Sequence, residues 1–235
     1  MAFYGMYMSP LYLILVGPTL LFAAWAQIKV KWAYSHYSQI LNSRRMTGAQ
    51  AAADMLRREG VSDVTIEEVD GWLSDHYDPA AKALRLSPGV YSGQSVAAVG
   101  IACHEAGHAL QHAGGYAALG IRSLLVPTAK LGSWLAFPLI FVGFWMHVAQ
   151  LAMVGIILFG AVVVFQIITL PVEFNASSRA KDALQHNGIL TRPEEIEGVN
   201  SVLNAAAMTY VAATLSAVAQ LVYFALILSG NRRRD

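Results

Sequence analysis

Charge is what this 235-residue chain has least of. Only 13% of its residues are Asp, Glu, Lys or Arg, against 56% apolar ones, where an ordinary soluble domain carries roughly a quarter charged residues. Cysteine is nearly missing as well. Cys103 stands alone, which excludes an intramolecular disulfide and a cysteine-rich metal site and leaves it as a small residue packed in a helix. No G-x-x-x-x-G-K-[ST] phosphate loop occurs, so the chain carries no ATPase module and no ATP site. The net charge of +1, with no basic block interleaved with aromatics, gives no footprint for nucleic acid. Internal repeats and low-complexity linkers are also lacking.

What fills the chain instead is long apolar runs, and they predict an integral membrane protein in contact with a lipid bilayer. Four stretches, 10–27, 131–148, 149–170 and 205–228, are each near the roughly 20 residues that a bilayer core requires. Residues 131–172 contain no charge, yet as one helix they would be about twice too long to span. A fold-back is therefore expected around His147 and Gln150, with Gly143 just before them, because a polar pair within an apolar run is cheapest at the far membrane surface. The first stretch ends in Ala24-Trp25-Ala26, which has the form of a signal-cleavage site. No basic residue precedes it, and it reads as an anchor. The expected organisation is one membrane-integrated domain over 1–235: a first transmembrane helix (1–28), a polar region (29–130), a transmembrane hairpin (131–172), a further helical region (173–204) and a last transmembrane helix (205–229). Thirteen of the sixteen Lys and Arg, Lys29, Lys31, Arg44, Arg45, Arg122 and Lys130 among them, fall on the side of the polar region. That excess places the polar region in the cytoplasm, while Arg232, Arg233 and Arg234 argue the other way.

Within the polar region, Thr47 followed by 49–56 and closed by Gly60 reads as a capped helix with Arg57 and Arg58 in its last turn. Residues 64–69 and 83–87 alternate like strands, with Asp78-Pro79 as a turn between them, and predict a small antiparallel β-hairpin. An exposed edge there is able to hold an extended peptide, or simply to cover the helix that starts near Ser95.

That helix carries His104-Glu105-Ala106-Gly107-His108, an H-E-x-x-H run. Residues four apart share a helix face, so both imidazoles can point at one metal ion, with Glu105 one position round where its carboxylate meets a water rather than the metal. This is the division of labour of a zinc peptidase. A third protein ligand is needed. His112 lies about 12 Å along the axis from His104, too far to share an ion with ligands about 2 Å away. The H-E-x-x-H-x-x-G-x-x-H class is excluded, since its last histidine falls on Gly114 and its glycine on Gln111. Glu173 is the first candidate: it follows the third span and Pro171, opens an expected helix over 173–180, and returns to the side of the motif after two spans. A water-facing carboxylate at a helix start is the competing reading for Glu173, and Asp182, His186, Glu194, Glu195 and Glu197 stay open as alternatives.

With both segments in view, the chain resembles the bacterial neutral zinc metallopeptidases of the YugP type. The runs that carry the resemblance are Asp75-His76-Tyr77-Asp78-Pro79, Leu86-Ser87-Pro88-Gly89-Val90-Tyr91, Ser95-Val96-Ala97-Ala98, His104 through His112, and Leu170-Pro171-Val172-Glu173-Phe174-Asn175-Ala176-Ser177. More distantly, H-E-x-x-H with a later E-F-x-A helix is similar to membrane zinc peptidases of the heat-shock and prenyl-protein-processing kinds. The resemblance implies a mainly α fold with a zincin-like helical core in a bacterial plasma membrane, and one zinc ion per chain held by His104, His108 and Glu173. Glu105 would be the catalytic base, acting on peptide or membrane-protein substrates. The more distant relatives usually place an aspartate four residues after the glutamate; here Ser177 stands there. Donors for the transition-state oxyanion are sought among Tyr210, Arg179, His186 and His76. A silent peptidase-like scaffold and a metal transporter are the alternative functions; the single H-E-x-x-H with its intact Glu105 favours neither. Substrate identity, a membrane protein partner and a homo-oligomer are not legible.

Overall fold

The computed structural model describes residues 9–71 and 74–231. Among them the elements run α1 (Pro10–Leu15), α2 (Gly17–Tyr37), α3 (Gly48–Arg58), β1 (Thr65–Glu68), β2 (His76–Asp78), β3 (Ala83–Leu86), α4 (Pro88–Tyr91), α5 (Val96–Ala113), α6 (Ala117–Trp145), α7 (Ala149–His186) and α8 (Pro193–Asn231). The protein is mainly helical, as expected. Among the described residues, 9–27, 121–170 and 209–231 form one compact unit, and 28–71, 74–120 and 171–208 form another.

The first unit is built by apolar helix segments that meet over small residues. A Cβ on Gly143 would lie 2.3 Å from the Ala152 nitrogen, and one on Gly155 would lie 2.7 Å from the Ile140 nitrogen. Glycine at these positions is what lets α6 and α7 approach backbone to backbone, the usual device where lipid tails remove the hydrophobic drive between helices. Phe137, Phe159 and Phe224 fill the interior edge to face, with ring centroids 5.2 to 6.1 Å apart. The outside is apolar too: Leu124, Trp134, Trp145 and Ile157 are all well exposed, as side chains facing lipid would be. Three helices, α6, α7 and α8, are long and apolar enough to cross a membrane. The expected fourth span differs, since α1 stops at Leu15 and α2 continues past the exposed Lys29 and Lys31 to Tyr37. The fold-back is where it was expected: α6 ends at Trp145, His147 takes a positive φ of 59° and α7 starts at Ala149. Gly143 and Gln150 lie within the helices rather than in the turn.

The second unit packs around α5. Its core gathers Met55 and Leu56 of α3, Leu84 and Leu86 of β3, Val99, Cys103 and Ala106 of α5, and Leu184 and Val199 of α7 and α8. Thr47 caps α3 as anticipated, with Gln50 closing a capping box, and the Ser95 hydroxyl accepts from the Ala98 amide to start α5.

Two expectations are corrected here. Residues 64–69 and 83–87 do not form an antiparallel hairpin: β1 and β3 pair in parallel, and the three-stranded sheet has the order β1-β3-β2. The strand that makes the antiparallel partner of β3 is the short His76-Tyr77-Asp78, whose three polar or amphipathic residues carry no apolar alternation to betray them. The turn at Asp78-Pro79 is present but joins β2 to β3, and Asp78 accepts from the Ala80 and Ala81 amides there. Glu173, likewise, does not open a helix. It sits inside the continuous 38-residue α7, with Pro171 in the interior. The proline removes a single backbone bond, whereas ending a helix at the end of an apolar span would expose several backbone groups, so the helix runs on. The dipole-stabilised, water-facing reading of Glu173 falls with that.

Candidate active site

The geometry starts from one close approach. A Cβ on Gly107 would lie 2.5 Å from the Ala176 carbonyl oxygen, so α5 and the C-terminal part of α7 touch backbone to backbone at the middle of the motif. Small residues elsewhere on α5 serve the same end: Gly100 packs against Val199, whose nearest atom would be 3.2 Å from an added Cβ.

The contact between α5 and α7 brings His104, His108 and Glu173 together. Glu173 Oε2 lies 3.3 Å from His104 Nε2 and 3.6 Å from His108 Nε2, and one ligand atom from each residue falls within 4.8 Å of the others. Two ligands held at about 2.0–2.1 Å from one tetrahedral ion stand about 3.3–3.4 Å apart, so the separations suit a shared small cation. Two imidazoles and a carboxylate also form the donor set that zinc takes when one position is kept open. His108 and Glu173 are buried and His104 is half-buried. Burial works against charging His108, but the Glu173 and Glu105 carboxylates and Gln111 outweigh it, and its pKa is raised above the ordinary histidine value.

Each imidazole is held from behind. Ser177 Oγ is 3.1 Å from His104 Nδ1, so the serine at the position where an aspartate was expected reaches a ring nitrogen of a motif histidine. Gln111 Oε1 is 3.0 Å from His108 Nδ1, and Gln111 Nε2 donates to the Val172 carbonyl at 2.7 Å and to Asn175 Oδ1 at 3.0 Å. Glu105 is half-buried, and its Oε2 accepts the Tyr77 backbone N–H at 3.1 Å, tying β2 to the motif helix. Gln111, Asn175 and Tyr77 had no expected role. A buried Gln three residues after a ligand histidine was the one visible signal, since an uncharged polar side chain facing a core must find partners.

The other sequence candidates lie elsewhere. His112 is exposed and bonds the Tyr77 hydroxyl through Nδ1 at 2.9 Å. Asp182 accepts from Ser178, Glu194, Glu197 and His186 are exposed, and Glu195 accepts from the Ser43 and Arg192 amides. Among the described residues, His104, His108 and Glu173 are the group able to hold a metal. Of the proposed oxyanion donors, Arg179 donates to Asn175 Oδ1 at 2.9 Å, and His76 engages the Ser74 carbonyl. Burial pushes the Cys103 thiol pKa well up, and it stays an inert core residue.

A family described as "Putative neutral zinc metallopeptidase" matches residues 12–229, across both histidines, Glu105 and Glu173. The chain belongs to this zinc metallopeptidase family. It is also 46% identical over 224 residues to "Putative membrane protease YugP" of Bacillus subtilis (strain 168), covering 94% of this chain and 98% of that protein. No solved structure matches. The family implies a metalloprotease that uses zinc, and the relative's name together with three bilayer-length apolar helices identifies a membrane protein. The alternative of a metal transporter finds no counterpart in either description.

Proposed function

We propose that this protein is a membrane-embedded, zinc-dependent endopeptidase whose single zinc ion is held by His104, His108 and Glu173, with Glu105 as catalytic base. The observation that carries this is the convergence of three ligand atoms from α5 and α7 on one point, with a fourth, acidic side chain one position round on α5. Zinc bound there supplies Lewis-acid polarisation of a peptide carbonyl and lowers the pKa of water toward neutrality.

The chain's own residues do the rest. Glu105 takes a proton from the attacking water and returns it to the departing amide nitrogen. The Tyr77 N–H restrains Oε2 of that carboxylate, which leaves Oε1 to face the water. Ser177 and Gln111 hold the two imidazoles so that their Nε2 atoms stay on the Glu173 side. The motif helix, the later glutamate helix and the small sheet together make a zincin-like core, joined to four membrane spans if the apolar part of α2 crosses as well. The basic excess favours a cytoplasmic active site and a bacterial plasma-membrane location. Its substrates are membrane or membrane-proximal polypeptides.

The test is Glu105→Gln in the full-length protein purified in detergent, which keeps shape and hydrogen-bonding capacity but removes the base. Zinc content is expected to stay near that of the unmodified protein while cleavage of an unfolded polypeptide falls about 10²- to 10⁴-fold. Cleavage at the unmodified rate would overturn the mechanism.

A further inference from the structure

The two imidazoles are supported in unequal ways, and the difference lies in hydrogen-bond polarity. The amide of Gln111 could in principle face either way, but two of its neighbours cannot. Val172 offers a backbone carbonyl, which only accepts, at 2.7 Å. Asn175 Oδ1, at 3.0 Å, is itself identified as an oxygen because the Arg179 guanidinium, which only donates, reaches it at 2.9 Å. Both neighbours therefore require the NH₂ end of Gln111, which turns its carbonyl oxygen toward His108 Nδ1. An oxygen there requires a proton on Nδ1, and the lone pair is left on Nε2, 3.6 Å from Glu173. Ser177 gives His104 no such polarity, because a hydroxyl rotates and can serve as donor or acceptor.

We infer that Gln111 is the positioning residue of the metal centre. Anchored by the Val172 carbonyl and by the Asn175–Arg179 pair, it locks His108 in the one tautomer that presents Nε2 to the ion. Gln111 is fully buried, so an apolar side chain of similar volume in its place leaves the His108 Nδ1 proton facing the interior without its acceptor. The same anchor ties α5 to α7 four residues beyond the Gly107 contact, so the lock and the spacing of Glu173 from the histidines are set by one pair of helices. This inference rests on the reading that His108 holds the metal.

The test uses zinc affinity, measured by competition with a chromophoric chelator, on the full-length protein in detergent. Gln111→Leu keeps volume and removes every one of these bonds, and it is expected to weaken zinc binding about 10- to 100-fold. Asn175→Asp keeps the acceptor that faces Gln111 and Arg179 and should stay within about threefold of the unmodified protein, whereas Asn175→Leu should fall between. Affinity in Gln111→Leu within twofold of the unmodified protein overturns the inference. His108→Ala separates the two claims: if it too keeps full affinity, the metal-site reading fails, and if it alone loses zinc, only the role of Gln111 fails. A second measurement does not depend on the variants folding. In the zinc-loaded protein carrying ¹⁵N-labelled histidine, the His108 Nδ1 proton should be present and exchange more slowly than that of His104. A His108 ring coordinated through Nδ1, or one exchanging as fast as His104, contradicts the lock.

Discussion

Gly107 and Ala176 approach so closely that a single added methyl group on residue 107 would sit 2.5 Å from the Ala176 carbonyl oxygen. The obstacle is backbone, which cannot rotate away, so α5 and α7 would have to move apart and carry His104 and His108 away from Glu173. Gly107→Ala should therefore destabilise the protein by about 1–3 kcal/mol and reduce zinc content. Gly120→Ala is the matched control, since a Cβ there meets nothing within 4 Å and alanine favours the helix. Thermal unfolding and metal analysis of the two variants read the difference, and equal zinc content in both would show that the close approach does not set the site.

The strand that restrains Glu105 depends on an ion pair at its end. Asp78 accepts from Arg85 at 2.6 Å, and Arg85, with the Ala81 and Ala80 amides, holds the Asp78 carboxyl below the usual carboxylate range. A depressed folded-state pKa means that the tie stabilises above the unfolded carboxyl's pKa, about 3.9, and is lost as pH falls through the folded value. Asp78→Asn should remove this contribution at neutral pH and speed hydrogen exchange of the Tyr77 amide about two- to fivefold. Unchanged exchange at that amide would detach β2 from the positioning of Glu105.

Much of this was legible in the residues. The H-E-x-x-H spacing, the Thr47 and Ser95 caps and the turn at His147 follow from local rules: helix period, side-chain capping and a polar residue between two apolar runs. The parallel pairing of β1 with β3 was not legible, because the two runs look alike whichever way they pair and the true hairpin partner, His76-Tyr77-Asp78, has no apolar alternation. Pro171 misled for a physical reason: in an exposed helix it marks an end, whereas after an apolar span the helix continues through it. Only the position of Gln111, three residues after a motif histidine, was legible; its role was not, because it depends on Val172 and Asn175, 61 and 64 residues away.

Sidedness is open to direct measurement. Cys103 is fully buried, so single cysteines introduced at Glu67, which is exposed on the sheet edge, and at Asp235 can be scanned with an impermeant thiol reagent against little background. A cytoplasmic polar region predicts no labelling of residue 67 from outside intact cells and labelling after permeabilisation. Labelling from outside would reverse the orientation, and the result at residue 235 tests whether α8 crosses.

The central claim is that Glu173 completes a zinc site with His104 and His108, and metal content tests it most directly. Zinc bound by the purified full-length protein should fall in Glu173→Ala nearly as far as in His108→Ala, because the site loses both a bond and the negative charge that offsets the cation. Asp182→Ala and Glu194→Ala, whose side chains are exposed, should keep close to one zinc per chain. Full zinc occupancy in Glu173→Ala, together with loss in either of the other two, would contradict the account.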